Sequence, residues 1–460
     1  MKKKKAAAFL CSLVLGAVIA SSCACTVFPD ATFRNPYEVA TDLGYDGSEA
    51  DWIAGQQSQS SQAYRMYEEA KKAGFQGSYL DFLAQYNLGA FVDDRAAVQG
   101  ALMSCVAIDS RFSTKKGTTV SNLGSGVIYS LDKEAGHAYV ITNYHVIYNE
   151  NSISSSKIGE PIYVTLYGGG TMDEALQAEY VGGVANYDIA VLEIKGDKQV
   201  SIVDRYGSLH THTNRDVLSS SYARTIAAGN SDAVAVGTRV YAIGNAEGEG
   251  ISATQGIISV ESEYIEIKKP DDSTQTISLP EFRIDAAVNH GNSGGGLFDV
   301  EGKFIGTVNA RSEAEGVEAF GYAIPSNIVL SVAQNIIDNR ASMGAQRATL
   351  GITVQVAGSK SIFNEEEQRA YIMETVAIRS VNPSSAAFGK LQADDVIFSL
   401  KVLDGERVVM EKVITRMAQL DAVMFNIRKG NKLEIVVSRS GKLLTHVFTF
   451  DDNDDFTRYS

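Results

Sequence analysis

The chain has 460 residues, of which 45% are hydrophobic, so it can form two to four domains with substantial cores. Its formal net charge at pH 7 is −14, and no basic run follows the lysines at the N-terminus. This acidic balance argues against nucleic acid as a partner and against nonspecific binding to anionic lipid, because both need clustered positive charge.

The N-terminus is organised like an export signal. Four lysines precede an apolar stretch, Ala6 to Ala20, which is short for a membrane span. Small residues follow, and Cys23 stands where a bacterial lipoprotein is cleaved and diacylated. We therefore predict a signal peptide at residues 1–22, a linker at residues 23–35 that is lipid-anchored to the cell membrane, and an extracytoplasmic protein. Cys25 is a competing cysteine, and cleavage with plain secretion is the alternative.

An internal repeat follows the signal. Residues 37–54 and 67–84 share a pattern that recurs after 30 residues. Each unit predicts a short helix ended by glycine, a Gly-aromatic-x-Gly turn and a second helix capped by serine. We place two helical repeat units at residues 36–88. Two units are few for a solenoid that folds independently. A stalk or cap that holds the rest of the chain off the membrane is the favoured role, and adhesion is the alternative.

Cysteine and histidine usage predicts neither a metal centre nor a disulfide framework. Cys11 lies in the signal, and Cys105 lies in an apolar segment typical of a buried strand. His210 and His212 lie on one side of an extended chain, but their Ser- and Thr-rich surroundings indicate a solvated loop. We predict no metal and no cofactor.

From Ala101 onward, alternating apolar residues between Gly- and Ser-rich turns indicate an antiparallel β protein. The polar segment Gly196 to Ala228 predicts a mobile surface loop. Ser326 to Ile337 predicts a short amphipathic helix. Strands are predicted at Ser125 to Ser130, Tyr163 to Tyr167, Ile189 to Ile194, Arg239 to Ile243, Gly256 to Val260 and Phe304 to Asn309.

Three local contexts within this β region suit nucleophilic catalysis. His145 follows an apolar run, Asp188 opens another, and Ser293 lies in a Gly-Asn-Ser-Gly-Gly turn. A serine hydroxyl needs a base, which an imidazole can supply when a carboxylate orients it. The glycine-rich turn also suits an oxyanion hole formed by the N–H groups of Gly291 and Ser293. Each residue alone has a purely structural explanation, but the three contexts together predict a catalytic triad.

These contexts resemble those of trypsin-like serine proteases, and specifically of the HtrA (Deg) family. The segments VITNYHVI, YDIAVLEI and IDAAVNHGNSGGGLFD resemble the family's histidine, aspartate and nucleophile segments, and VGTRVYAIGNAEG and GYAIPSN also match. Two departures are Gly296, where many such enzymes have proline, and His290, where a basic residue is more usual. The resemblance covers residues 95–340 and implies two antiparallel β-barrels with the active site in the cleft between them.

The C-terminal part of the chain, residues 348–452, resembles the PDZ domain that follows the protease in this family. Leu350, Gly351 and Ile352 resemble its carboxylate-binding loop. The resemblance implies that these residues bind the C-terminus of a peptide that adds to the sheet as a strand. Asp394 departs from the pattern, because the usual Gly-Asp-Val-Ile turn has glycine there.

The resemblance also implies a specificity, an assembly and a role. It implies small aliphatic P1 residues in a pocket beside a strand at Phe304 to Arg311. An acidic P1 residue, neutralised by Arg311, is the alternative. The resemblance implies a homotrimer formed through Val98 to Phe112. We therefore predict a mainly β serine endopeptidase that degrades or processes misfolded exported proteins at the cell envelope. A catalytically silent chaperone or peptide-binding protein, and a protease dedicated to one substrate, are the alternatives.

Overall fold

The computed structural model describes residues 94–168, 174–203, 208–309, 320–365 and 369–459, with a few isolated positions before them. The predicted signal, Cys23 and most of both repeat units lie outside the described residues. No helix in the described ranges is long and apolar enough to cross a membrane. The chain divides into two compact units, which we call the barrel unit (89–347 with 457–460) and the C-terminal unit (348–456).

The barrel unit begins with a closed barrel of six strands in the order β1-β2-β3-β6-β5-β4. In β1, buried residues alternate with more exposed ones, as expected when one face packs on a core. Every residue of β6 is buried, because the helix Ser326–Asp338 packs against this strand as well. The elements are α1 (Arg95–Leu102), β1 (Cys105–Ser113), β2 (Thr119–Asp132), β3 (His137–Thr142), α2 (Tyr144–Ile147), β4 (Ile162–Leu166), β5 (Leu176–Val184) and β6 (Ile189–Ile194).

Cys105 lies at the start of β1 and is fully buried, as the sequence predicted. Burial raises the pKa of its thiol to about 12, although hydrogen bonds from Gly296 and Ser104 act in the opposite direction. The thiol therefore stays protonated near neutral pH and acts as a small apolar side chain.

The prediction of a loop over Gly196 to Ala228 is wrong. This segment contains a hairpin and a helix, and a capping box between Thr213 and Asp216 begins the helix. The buried Asn214 side chain donates to the carbonyls of Gln177 and Lys195, at 2.9 Å each. These hydrogen bonds satisfy polar groups that composition alone assigns to solvent. The elements are β7 (Gln199–Val203), β8 (Leu209–Thr213), α3 (Asn214–Ser220) and β9 (Ala227–Ala228).

A second ring of six strands has the order β13-β10-β11-β12-β15-β14, and it closes because β13 also pairs with β14. The strand β9 pairs with β14 in parallel. Helix α4 begins at Ser326 as predicted and ends at Asp338. These observations confirm the mainly β architecture. The elements are β10 (Arg239–Gly244), β11 (Ser252–Lys269), β12 (Asp272–Ile284), β13 (Gly296–Asp299), β14 (Lys303–Asn309), β15 (Gly321–Pro325) and α4 (Ser326–Asp338).

The β11–β12 hairpin extends well beyond this ring. The strand β12 pairs with β15 only over Phe282 to Ile284, and β10 pairs with β11 only as far as Ile257. The pairing of β11 with β12 nevertheless continues to Lys269 and Asp272. We call residues 263–281 the outer hairpin. Its residues are not needed to close the ring.

The C-terminal unit is built on a sheet in the order β17-β18-β19-β21-β22, with β20 paired to β19. Its core includes Ile378, Val402, Val423 and Ile435, all nearly inaccessible to solvent. The short strands β16 and β23, most of whose residues belong to the barrel unit, pair with each other. The elements are β16 (Ala345–Ala348), β17 (Ile352–Asn364), β18 (Arg369–Val381), β19 (Val396–Asp404), β20 (Arg407–Val413), α5 (Gln419–Asn426), β21 (Lys432–Arg439), β22 (Lys442–Thr449) and β23 (Phe456–Tyr459).

Candidate active site

His145 and Asp188 form a close pair at one end of the first barrel. Nδ1 of His145 lies 2.7 Å from Oδ2 of Asp188, and the backbone N–H of His145 donates to Oδ1 at 2.9 Å. The Asp188 side chain is fully buried. A carboxylate at Nδ1 favours the tautomer that carries its proton there, which leaves Nε2 able to accept a proton.

The backbone on both sides of this pair is held by further hydrogen bonds. Asp188 has a left-handed conformation with φ of 51°, which aspartate tolerates better than most residues do. Its carbonyl accepts from the Asn143 side chain at 2.8 Å and from the Tyr144 N–H at 3.2 Å. The turn that carries the aspartate is thereby fixed to the start of α2, the helical turn that carries His145.

Ser293 lies in a turn that is bonded to strands of both barrels. Its carbonyl accepts from the N–H of Ser125 on β2 at 2.8 Å, and the next residue, Gly294, donates its N–H to Val308 on β14 at 2.9 Å. The Ser125 hydroxyl donates to the carbonyl of Gly291 at 2.6 Å. The residue Ser293 is 5% exposed, so the turn is well packed.

The structure brings the serine turn against the histidine segment. Gly294 has φ of +85°, and a Cβ there would lie 2.4 Å from the Thr142 hydroxyl and 3.1 Å from the Asn143 nitrogen. Only glycine fits this close approach. The residue after Ser293 therefore touches the residues that precede α2, and all three predicted segments meet at one place.

A hydrogen bond fixes the orientation of the peptide between His290 and Gly291. The carbonyl of His290 accepts from the Glu247 N–H at 2.7 Å. Because N–H and C=O point in opposite directions across a trans peptide, the Gly291 N–H points away from Glu247. Within the described part of the chain, no hydrogen bond from this N–H is found. Gly291 has φ of +90°, and a Cβ there would lie 2.2 Å from the Asn245 carbonyl oxygen.

Ser125 is the supporting residue that sequence reasoning missed. It is fully buried, and its hydroxyl accepts from the Asn245 N–H at 2.7 Å while it donates to the Gly291 carbonyl. The side chain thus joins β2 to both segments that shape the serine turn. The only sequence signal is its place between two glycines, which predicts a strand or turn and not a contact with residue 291.

The predicted wall of the specificity pocket is only partly described. Phe304 to Asn309 lie on β14 as predicted, whereas Arg311 lies outside the described residues. Asn309 is buried, and its side chain donates to a carboxylate oxygen of Glu281 at 2.8 Å. Among the described residues, no cluster of His, Cys, Asp and Glu side chains is arranged to hold a metal ion.

In the C-terminal unit, the predicted carboxylate loop precedes the edge strand β17. Gly351 has φ of +65°, and its carbonyl accepts from the Asn382 N–H at 2.8 Å. Leu350 is buried, and Ile352 begins the pairing of β17 with β18. Asp394, where the resemblance implies a glycine, has a left-handed φ of 68°. Glycine adopts this conformation more readily than aspartate does.

Comparison with known proteins finds sequence similarity to serine proteases. A model of the trypsin-like peptidase domain matches residues 124–306. The serine protease Do-like HtrA of Bacillus subtilis (strain 168) is 29% identical over 372 residues, which cover 79% of this chain and 70% of that protein. HtrB of the same organism is 31% identical over 331 residues, which cover 70% of this chain and 60% of that protein.

One further relative is matched over a smaller share of its own length, and one solved structure has a lower sequence identity. The periplasmic serine endoprotease DegP of Escherichia coli (strain K12) is 29% identical over 322 residues, which cover 70% of this chain and 55% of that protein. Among solved structures, the HtrA-type protease AlgW with a decapeptide is 24% identical. That match covers 77% of this chain and 97% of the AlgW chain, with a TM-score of 0.45.

Proposed function

We propose that the chain is a trypsin-like serine endopeptidase of the HtrA type, with Ser293, His145 and Asp188 as its catalytic residues. Ser293 attacks the scissile carbonyl, and Nε2 of His145 takes the hydroxyl proton and passes it to the leaving amine. Asp188 orients the ring and stabilises the imidazolium. The buried carboxylate 2.7 Å from Nδ1 is the observation that carries this assignment. Turnover of casein by a Ser293→Ala variant tests it.

The oxyanion is stabilised by the N–H groups of Gly291 and Ser293. The orientation of the His290–Gly291 peptide supports this role, because it directs the Gly291 N–H away from Glu247. Such donors are held in place before the reaction, so they stabilise the developing charge without reorganising. Ser125 supports them by holding the Gly291 carbonyl.

A Gly291→Ala variant is expected to lower kcat by about 10²- to 10³-fold, the loss typical of one oxyanion donor. The new Cβ would lie 2.2 Å from the Asn245 carbonyl oxygen, so the peptide that carries the donor has to rotate. Gly237→Ala is the matched control, because Gly237 also has a positive φ, +85°, but has nothing within 4 Å of its Cβ position. Steady-state cleavage of labelled casein measures both variants. Equal kcat values for the two would contradict the assignment.

The substrates we propose are misfolded exported proteins with small aliphatic P1 residues. The Escherichia coli relative is named a periplasmic serine endoprotease, which supports a role at the cell envelope. A protease dedicated to one substrate is the alternative. Cleavage of a peptide library tests the P1 preference, and a profile dominated by Asp or Glu would contradict it.

For the C-terminal unit we propose a PDZ-type site that binds peptide C-termini. Within the described residues, β17 is an edge strand of its sheet, so its free edge can accept a peptide as a further strand. Leu350 and Gly351 precede that strand and Ile352 begins it, and the three residues would hold the terminal carboxylate through backbone N–H groups.

A Gly351→Ala variant is expected to weaken peptide binding about tenfold or more, because the new Cβ would lie 2.4 Å from Cβ of Ser385 and shift the loop. Gly430→Ala is the control, since Gly430 also has a positive φ, +89°, with open space around it. Fluorescence anisotropy with an apolar peptide bearing a free C-terminus measures the affinity, and the amidated peptide should bind weakly. Equal binding of free and amidated peptides would refute carboxylate recognition.

We further propose that Cys23 carries the lipid that anchors the protein outside the cytoplasmic membrane, with the repeat units as a spacer. The lysine-led apolar segment and the small residues before Cys23 support this. Mass spectrometry of the mature N-terminus tests it. An unmodified N-terminus after Cys25 would show a freely secreted protein.

A homotrimer formed through Val98 to Phe112 is the proposed assembly. In the structure this segment spans parts of α1 and β1, with Phe112 buried and Asp109 paired to Arg111 at 2.9 Å. The remaining half-exposed residues are available to a neighbouring subunit. Sedimentation as a monomer at micromolar concentration would contradict this proposal.

A further inference from the structure

The outer hairpin packs on the turn that carries Asp188. Its buried side chains Ile267, Ile277 and Leu279 form a small apolar cluster with Tyr187. Tyr187 immediately precedes Asp188 and ends the 3-10 turn in front of it. An element that leaves the second ring therefore buries its apolar face against the catalytic aspartate turn of the first barrel.

The tip of the outer hairpin makes a second contact, beside His145. The Tyr148 hydroxyl donates to the backbone carbonyl of Asp271 at 3.3 Å. The ring of Tyr148 stacks on that of Tyr144, with centroids 5.5 Å apart, and Tyr144 is the residue before His145. Lys269 forms a salt bridge with the Asp271 side chain at 2.9 Å, which stabilises the conformation of the hairpin tip. The hairpin thus touches both turns that carry the catalytic pair.

The Tyr148 hydroxyl keeps its proton and can therefore always donate its hydrogen bond. Burial, and then the nearby carboxylate of Asp271, raise the pKa of its phenol above the usual value. The hydroxyl therefore remains protonated in the pH range in which an imidazole acts as a base. Its hydrogen bond to a backbone carbonyl does not depend on the side chain at position 271.

We propose that the outer hairpin positions the His145–Asp188 pair, with Tyr148 and Ile267 as positioning residues that do not touch the substrate. The two contacts fix the α2 turn and the Asp188 turn relative to each other. A misplacement of about 1 Å in a catalytic group can cost on the order of 10²-fold in rate, so a small shift of either turn lowers kcat. This inference rests on the proposed catalytic roles of His145 and Asp188.

A Tyr148→Phe variant tests this inference, because it removes one hydroxyl and keeps the ring stack. We expect kcat for labelled casein to fall about three- to tenfold while KM changes by less than about twofold, because the lost interaction affects the chemical step. Tyr129→Phe is the matched control. Its half-buried hydroxyl donates to the Gln334 side chain at 2.6 Å and joins β2 to α4, away from the pair.

Ile267→Ala is a second variant, because it removes apolar atoms that pack against Tyr187 and leaves Tyr148 unchanged. It is expected to lower kcat in the same way. Full kcat in both the Tyr148→Phe and Ile267→Ala variants, or an equal loss in Tyr129→Phe, would overturn the inference and leave the proposed function standing. Turnover by the wild type that does not require Ser293 would instead overturn the proposed function, and this inference with it.

Discussion

A Ser293→Ala variant is expected to lose casein turnover by a factor on the order of 10⁴ or more, because no other group supplies the nucleophile. Any residual activity comes from the oxyanion donors and from substrate binding. The substitution removes one oxygen atom and leaves the backbone contacts of the turn unchanged, including the bond from the Ser125 N–H to the residue 293 carbonyl. The fold is therefore expected to be retained, which the melting temperature measures.

The control for this variant is Ser219→Ala, a substitution of an exposed serine on α3. It should cleave casein at the wild-type rate. Undiminished cleavage by Ser293→Ala would refute the assignment of the nucleophile. A wild-type protein without activity, even in the presence of C-terminal peptides as activators, would favour the alternative of a catalytically silent chaperone.

An Asp188→Asn variant is expected to lower kcat by about 10⁴-fold. Asparagine has nearly the same shape and also tolerates the left-handed φ of 51° at this position. The oxygen that accepts from the His145 backbone N–H can be kept, but the amide NH₂ then faces Nδ1. The ring is forced into the tautomer with its proton on Nε2, so it no longer accepts the proton of Ser293.

Asp197→Asn, a change of an exposed aspartate, is the control for charge and should leave kcat unchanged. Initial rates with labelled casein are compared across the three proteins at one pH. A kcat for Asp188→Asn within tenfold of the wild-type value would show that Asp188 does not orient the base.

The candidate site could be proposed from the sequence because His145, Asp188 and Ser293 each lie in a short segment whose local conformation has a recognisable composition. The glycines around Ser293 illustrate this, since Gly291 and Gly294 have positive φ and approach neighbouring backbone closely. Such positions exclude other residues. The apolar periodicity similarly predicted the helix from Ser326, through its helical spacing, and the antiparallel architecture, through its alternation.

Contacts between distant segments were not predictable in the same way. Ser125 and Gly291 are 166 residues apart, and Tyr148 and Asp271 are 123 apart, so no local pattern encodes either pair. The segment from Gly196 to Ala228 was predicted as a loop because its residues are polar. Asn214 shows the physical reason for the error, because a buried amide with satisfied hydrogen bonds is as compatible with folded structure as an apolar side chain is.

Labelling with a fluorophosphonate tests the central claim most directly, because this reagent reacts with a serine that an adjacent base has activated. The adduct is located by mass spectrometry of the digested protein, with and without an activating C-terminal peptide. We predict one adduct on Ser293 in the wild type and in Ser219→Ala, and none in a His145→Ala variant. An adduct on a different serine, or a wild type that stays unlabelled while it cleaves casein, would contradict the assignment of Ser293, His145 and Asp188.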